Sequence, residues 1–304
     1  LIVLLMAWAI ARRQYWALAA WAFFWVMPLP VQQPDHQALL VQGNVDPLRK
    51  RMGLPDDELY LRLTQQGLAE YPQARLVVWP ETAVYRFPQG LEAVMGSRDL
   101  VAGFNNAAAN EMRLWREGQV VATHLKTRLT PFGEAYPWRR ALGGVYDFFA
   151  QTFFGPGSRF GDREAGRRPV ALEGYGAYIC YESVFPAVAR ELVSQGARVL
   201  VLGTNDAWFG PSFGAEQHFQ MGRMRAVETR RWLLRVGNDG VTASVDPWGR
   251  VVRRLEQRVE GVLLAPYALR EDQTPYVRLG DWVIVLAAAL LLIGLRRRPG
   301  MRMI

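Results

Sequence analysis

The chain has 304 residues, half of them hydrophobic, and carries 36 basic against 28 acidic residues for a net charge of +8. So much apolar side chain excludes a disordered polypeptide and suffices for a sizeable core; the single cysteine, Cys180, excludes an intrachain disulfide and a multi-cysteine zinc site. The position of the charge argues against a nucleic-acid partner: Arg12, Arg13, Arg296, Arg297, Arg298 and Arg302 lie at the two ends, and without them the chain carries only +2.

Residues 1–11 are all apolar, Arg12, Arg13 and Gln14 interrupt, and 15–31 run apolar again until Pro28 and Pro30. Each run is shorter than the roughly 20 residues of a spanning helix, so a signal peptide competes with a membrane reading. Tyr15, Trp16 and Trp25 sit where interfacial aromatics gather, and arginines flank the run, which favours membrane spans. The sequence opens at Leu1, inside an apolar run. Residues 1–31 therefore read as the end of an N-terminal transmembrane bundle, two spans with the first truncated.

From 32 to 275 strand-like and helix-like segments alternate. Short apolar runs between breakers predict strands at 38–41, 76–79, 100–104, 177–180 and 199–202. Leu59, Leu63 and Leu68 give helical spacing over 56–71, with Asp56 and Asp57 as caps. A second helix is predicted over 185–195, with Pro186 in its first turn and Gly196 beyond its end, and a third over 216–231. Turns at 238–240 and 246–249 set off a β-meander of 232–236, 241–245 and 250–255. The pattern is α/β with a mixed sheet. The stretch 145–157 reads as a long connection, though it holds five aromatic residues.

The run 282–295 is apolar and is followed by Arg296 to Arg298, so 276–304 reads as a C-terminal transmembrane helix and a basic cytoplasmic tail. The positive-inside rule puts both arginine clusters in the cytoplasm and the domain 32–275 on the other side.

Three stretches carry reactive side chains where strands should end, the usual place for catalytic groups in α/β sheets: Trp79-Pro80-Glu81, His124-Leu125-Lys126 and Cys180-Tyr181-Glu182. A lone cysteine is ordinarily a small buried hydrophobe. As a nucleophile, Cys180 would need a base and a nearby cation; Glu81 and Lys126 are candidates, but spacing alone does not bring the three together. His36, His124 and His218 are scattered without metal-ligand spacing, and no phosphate-cradling motif occurs.

Taken in order, WPET (79–82), HLKxxLxPFGE (124–134), ICYES (179–183), TNDAWFG (204–210), RAVETRR (225–231), NDG (238–240) and DPWG (246–249) resemble the nitrilase, or carbon–nitrogen hydrolase, superfamily, and more narrowly its membrane branch, the apolipoprotein N-acyltransferases. The resemblance implies a nitrilase-like four-layer αββα sandwich flanked by transmembrane helices, with no cofactor and no metal. It implies Glu81 as general base, Lys126 as triad lysine and Cys180 as nucleophile, with Glu134, Tyr181 and Glu182 in support. Glu182 is expected to serve the second half-reaction. One departure stands out: after Gln42-Gly43-Asn44 comes Arg49-Lys50-Arg51, with no tryptophan.

The implied activity is ping-pong acyl transfer from a phospholipid donor to the N-terminal amine of a diacylglyceryl-apolipoprotein, by a monomer in the bacterial inner membrane with no nucleic-acid partner. The alternatives are a membrane-tethered amidase acting on a soluble amide, and an inactive nitrilase-like binding module. Aromatic residues of 145–157 and 207–210 are expected to form a lid that guides acyl chains.

Overall fold

The computed structural model describes residues 13, 33–46, 56–106, 108–155, 157, 161–210 and 212–296. The apolar runs 1–11 and 15–31 therefore lie outside the described residues, Arg13 apart. Gln33–Val277 is one compact unit, and the segment from Arg278 onward belongs to another.

In the first unit the strands are β1 (His36–Gln42), β2 (Leu76–Val78), β3 (Asp99–Asn105), β4 (Asn110–Arg116), β5 (Gln119–Leu125), β6 (Tyr175–Ile179), β7 (Val199–Thr204), β8 (Leu233–Gly237), β9 (Thr242–Val245), β10 (Val251–Leu255) and β11 (Gly261–Tyr267). They form a six-stranded sheet, ordered β11-β1-β2-β3-β4-β5, and a five-stranded sheet, ordered β10-β9-β8-β7-β6. Both are mixed: β1, β2 and β3 run parallel, as do β6, β7 and β8, while the remaining neighbours are antiparallel.

Side-chain alternation explains the layering. On β1, Ala38 and Leu40 point one way and Leu39 and Val41 the other, all fully buried. Ala38 and Leu40 join Val78, Val101, Ile179 and Val201 in a core between the two sheets. Leu39 and Val41 join Val77, Trp79, Tyr60 and Leu63 in a second core, beneath α1 (Asp57–Glu70) and α2 (Leu91–Met95). On the far face of the other sheet, Tyr178, Leu200 and Leu202 pack with residues of α4 (Pro186–Ser194) and α5 (Gly214–Thr229). Three apolar layers thus separate helix, sheet, sheet and helix.

Side-chain and backbone hydrogen bonds join the sheets at one end. Thr242 Oγ1 donates to Gln42 Oε1 at 2.6 Å, and Asn44 N–H to the Asn238 carbonyl at 2.6 Å. The Asn238 amide in turn brackets the backbone of Val45, accepting from its N–H at 3.0 Å and donating to its carbonyl at 2.7 Å.

The expected helices and strands occur within one to two residues of their predicted bounds. Several elements differ. The stretch 145–157 is not a connection: α3 (Arg139–Phe154) occupies most of it. Its residues have an amphipathic period that the run of aromatics hides. β4, β5 and β11 were not anticipated. β11 contains Pro266, which counts against a strand in sequence but is tolerated at a sheet edge, where β11 lies. α6 (Pro275–Leu279) places buried Val277 in the third core. In the second unit, α7 (Trp282–Arg296) covers the predicted C-terminal run with 15 residues. Among the described residues no helix is long and apolar enough to cross a membrane.

Candidate active site

Glu81 follows β2. Pro80 has no N–H to donate and ends the ladder after Trp79, whose indole N–H is bound by Thr64 Oγ1 at 2.9 Å inside the second core. The turn presses against β3 so closely that a Cβ on Gly103 would come within 2.1 Å of the Pro80 carbonyl oxygen and 2.8 Å of Glu81 Cα. Only glycine leaves room for Glu81 here. Its carboxylate is buried and accepts from Asn205 N–H at 3.0 Å and Asn110 Nδ2 at 3.3 Å.

Lys126 lies one residue past β5 and is buried. Its Nζ sits 3.1 Å from Glu81 and 2.7 Å from Glu134. Glu134 is aimed by a tight loop: its N–H and that of Ala135 both donate to the Thr130 carbonyl, and its carboxylate accepts Thr130 N–H at 2.9 Å. Asn110 Nδ2 also donates to Glu134, so one amide spans both carboxylates. Burial drives the Lys126 ammonium pKa down, but Glu81, Cys180 and Glu134 outweigh it, and the net shift is strongly upward. Burial raises the Glu134 carboxyl, and the Lys126 charge with the Thr130 bonds pulls it below its ordinary value. The cluster holds two carboxylates against one ammonium.

Cys180 stands directly after β6, at φ +47°, as the first residue of a one-turn 3₁₀ helix, Cys180–Val184. A β-carbon is disfavoured in that left-handed region, at about 1–3 kcal/mol, and such strain gathers at functional turns. Burial pushes the thiol well above its ordinary value, and Glu81 adds to this; Lys126 opposes it. The resting group is therefore a thiol held in the field of Glu81, Lys126 and Glu134. Tyr181 stacks edge-on against Phe185 at 5.2 Å.

Glu182 is fully buried and fully committed. Its Oε1 accepts Thr127 N–H at 2.7 Å and Thr127 Oγ1 at 2.6 Å; its Oε2 accepts Ile179 N–H at 2.8 Å and faces His124 Nε2 at 3.0 Å. Val170 N–H donates to His124 Nδ1, so His124 donates to Glu182 through Nε2. Glu182 thus ties the residue after Lys126 to the residue before Cys180. A carboxylate so bound has every lone pair taken, and a part in a second half-reaction would require one of these bonds to open first.

Sequence reasoning missed several members of the site. Asn110 and Asn205 touch Glu81, yet an asparagine that opens a strand, as Asn110 opens β4, or follows one, as Asn205 follows β7, looks like any turn residue. His218 is 12 residues from Asp206 in sequence, but its Nδ1 lies 2.8 Å from the Asp206 carboxylate, which also takes Arg235 NH2 at 2.6 Å. A sulfur of Cys180, an oxygen of Asp206 and a nitrogen of His218 all fall within 4.8 Å of one another. The scattered histidines therefore include one that converges on the cysteine. Asp206 and His218 are already bonded to each other and to Arg235, an arrangement suited to holding a ring in place rather than to ligating an ion.

Residues 98–271 match the family model described as carbon-nitrogen hydrolase. Among curated proteins the chain is 36% identical to the apolipoprotein N-acyltransferase of Pseudomonas aeruginosa (strain LESB58), over 86% of this chain and 55% of that one. It is 38% identical to that of Azotobacter vinelandii, over 79% and 49%, and 33% identical to that of Gloeobacter violaceus, over 95% and 59%. The chain spans about half the length of these relatives. Among solved structures its fold is similar to Saccharomyces cerevisiae Nit3, a member of branch 10 of the nitrilase superfamily (TM-score 0.52, 17% identity, 88% of this chain and 98% of that one). It is also similar to a mutant amidase from Nesterenkonia sp. AN1 with an acetamide moiety covalently added at its active-site cysteine (TM-score 0.54, 17% identity, 86% and 100%).

Proposed function

The chain belongs to the carbon–nitrogen hydrolase family, and from that premise we propose that it transfers an acyl chain from a phospholipid, through a thioester on Cys180, to the N-terminal amine of a diacylglyceryl-apolipoprotein. One observation carries this reading: a single cysteine on a strained turn lies in the field of a buried Glu81–Lys126–Glu134 cluster. Relatives named apolipoprotein N-acyltransferase, at 33–38% identity, supply the substrate class.

Cys180 is the nucleophile and Glu81 the general base. With the thiol held above its ordinary pKa, thiolate forms as Glu81 takes the proton, when an ester carbonyl is in reach. The sulfur attacks, and the oxyanion is met by Lys126 Nζ and the Tyr181 N–H, a contribution of about 3 kcal/mol per donor in comparable sites. Collapse breaks the ester C–O bond and releases lysophospholipid. The acceptor amine then displaces the thioester, giving an amide and restoring the thiol. Glu134 holds Lys126 in place. Glu182 and His124 fix the two loops and touch no reacting atom.

Both substrates carry acyl chains, which fits a protein of the bacterial inner membrane, with runs 1–31 and 276–304 as its anchors and the domain on the extracytoplasmic side. Phe148, Phe149, Trp208 and Phe209 are exposed, and we assign them to acyl-chain contact. The protein works as a monomer without a cofactor.

Incubation with phospholipid and no acceptor tests the reading. The mass of the protein should rise by one acyl chain, neutral hydroxylamine should remove it, and Cys180→Ala should carry none. A Cys180→Ala protein that still transfers acyl chains would overturn the proposal; hydrolysis of a soluble amide with no lipid labelling would favour the amidase.

A further inference from the structure

His218 is absorbed by none of the steps above, yet it lies at the junction of the nucleophile's turn. It projects from α5 and is buried. Its Nδ1 faces the Asp206 carboxylate at 2.8 Å. A carboxylate only accepts, so Nδ1 carries a hydrogen. Burial works to raise the Asp206 carboxyl, but Arg235 and His218 hold it below its ordinary value, so it stays ionised. Arg235 is itself fixed, with NH2 on Asp206 at 2.6 Å and Nε on the Val241 carbonyl at 3.1 Å. Gly240 closes over Asp206 so tightly that a Cβ there would come within 2.5 Å of its Oδ2. The ring has one orientation.

Its other nitrogen, Nε2, lies 3.0 Å from the Cys180 carbonyl oxygen and 2.9 Å from Ser183 Oγ. The Asp206 carboxylate on one side and the Cys180 carbonyl on the other only accept, so the ring that makes both bonds is the imidazolium, with a hydrogen on each nitrogen and Ser183 Oγ accepting beside the carbonyl. The peptide whose oxygen His218 takes is the one whose nitrogen belongs to Tyr181. In a trans peptide the C=O and N–H point in opposite directions. With the oxygen turned to His218, the Tyr181 N–H is turned the other way. In a turn of i→i+3 bonds that begins at Cys180, that N–H has no acceptor within the turn.

We propose that His218, fixed by Asp206 and Arg235, is a positioning residue that sets the Cys180–Tyr181 peptide so that the Tyr181 N–H serves the oxyanion of the acylation step. This rests on the acyl-transfer reading above. The half of the reaction concerned is balanced as follows. The thiol proton passes to Glu81, sulfur forms a bond to the acyl carbon, the ester C–O bond breaks with its electron pair going to the leaving oxygen, and Glu81 hands its proton to that oxygen, so an alcohol departs and Glu81 is a carboxylate again.

Two reactions of the same sulfur separate this role from thiol activation or simple folding. Acylation by a p-nitrophenyl ester builds a tetrahedral oxyanion, whereas alkylation by iodoacetamide is a displacement and builds none. On the full chain in detergent, His218→Asn retains a donor near Nδ1 and loses the one at Nε2. We expect its Cys180 acylation burst to slow about 10- to 100-fold, up to the loss seen when an oxyanion donor is removed. Its iodoacetamide rate should stay within about twofold of the parent. His218→Gln places an amide N–H near Nε2 and should recover most of the burst. Unchanged acylation in His218→Asn, a parallel fall in alkylation, or no recovery in His218→Gln would each overturn the proposal. A parent chain with no Cys180-dependent burst would instead bring down the acyl-transfer reading, and this inference with it.

Discussion

Lys126→Met removes the one ammonium between two buried carboxylates while keeping most of the side-chain volume. At an effective dielectric of about 20, charges 2.7 Å and 3.1 Å apart attract by about 6 and about 5 kcal/mol. Desolvation of the ammonium cancels much of this, so the expected cost is the roughly 3–5 kcal/mol of breaking a buried pair. For a unit of this size that is a fall in Tm of about 6–20 °C. The cost should depend on pH. In the parent, Glu134 is depressed below its ordinary 4.5; its stabilisation is complete above that value and is lost as pH falls through the depressed one. In Lys126→Met the lowering by Lys126 goes, while burial, the largest influence on this carboxyl, remains against the Thr130 bonds alone, so the folded pKa rises and is expected to pass the unfolded one. The neutral carboxyl is then favoured at low pH, and its advantage is lost as pH rises through the raised value. The gap in Tm should be widest at pH 7–8 and should narrow towards pH 4.5. Thermal unfolding of both proteins across that range measures it. A gap that is flat with pH, or a Tm within about 3 °C of the parent at pH 7, would refute the reasoning.

Glu182→Gln must place an amide NH₂ against either the Thr127 N–H or the Ile179 N–H; an acyl-labelling assay should find acylation and transfer lost together, at a stability cost of about 1–3 kcal/mol, whereas labelling without transfer would support a role in the second half-reaction. Gly103→Ala drives a methyl into the Pro80 carbonyl and Glu81 Cα; chemical denaturation should register about 1–3 kcal/mol of lost stability and the acylation burst should slow at least about tenfold, since the base must move. The rate of Cys180 alkylation by iodoacetamide should keep climbing beyond pH 9.0, the ordinary thiol value; a plateau below it would mean a stabilised resting thiolate and a different proton path.

The sequence made the central strands plain because their residues are buried on both faces: Leu76, Val77 and Val78 leave no alternative to a strand between two layers. β5 was not legible. Its Gln119, Val120 and Val121 are exposed and give no inward–outward alternation, and the strand is defined by its register with β4. α3 was hidden because five aromatics look like a special loop, and only helical geometry distributes them. At the site, Glu81, Lys126 and Cys180 stand out as reactive groups at strand ends, and resemblance linked them. Asn110, Asn205 and His218 did not stand out. Their importance lies in distances across chain separations of 29, 124 and 38 residues, which no local pattern encodes.

β5 and β6 are the outermost strands of their respective sheets, and Lys126 and Cys180 issue from their ends. No backbone ladder joins the two there; the described bonds that bridge them run through the side chain of Glu182. A seam closed by one carboxylate can part while every strand elsewhere stays paired. Such local opening costs less than global unfolding, so the amides of Thr127 and Ile179 should exchange with solvent deuterium before those of β1 or β7. On slow heating, catalysis would then fail several degrees below the temperature at which the sandwich itself comes apart.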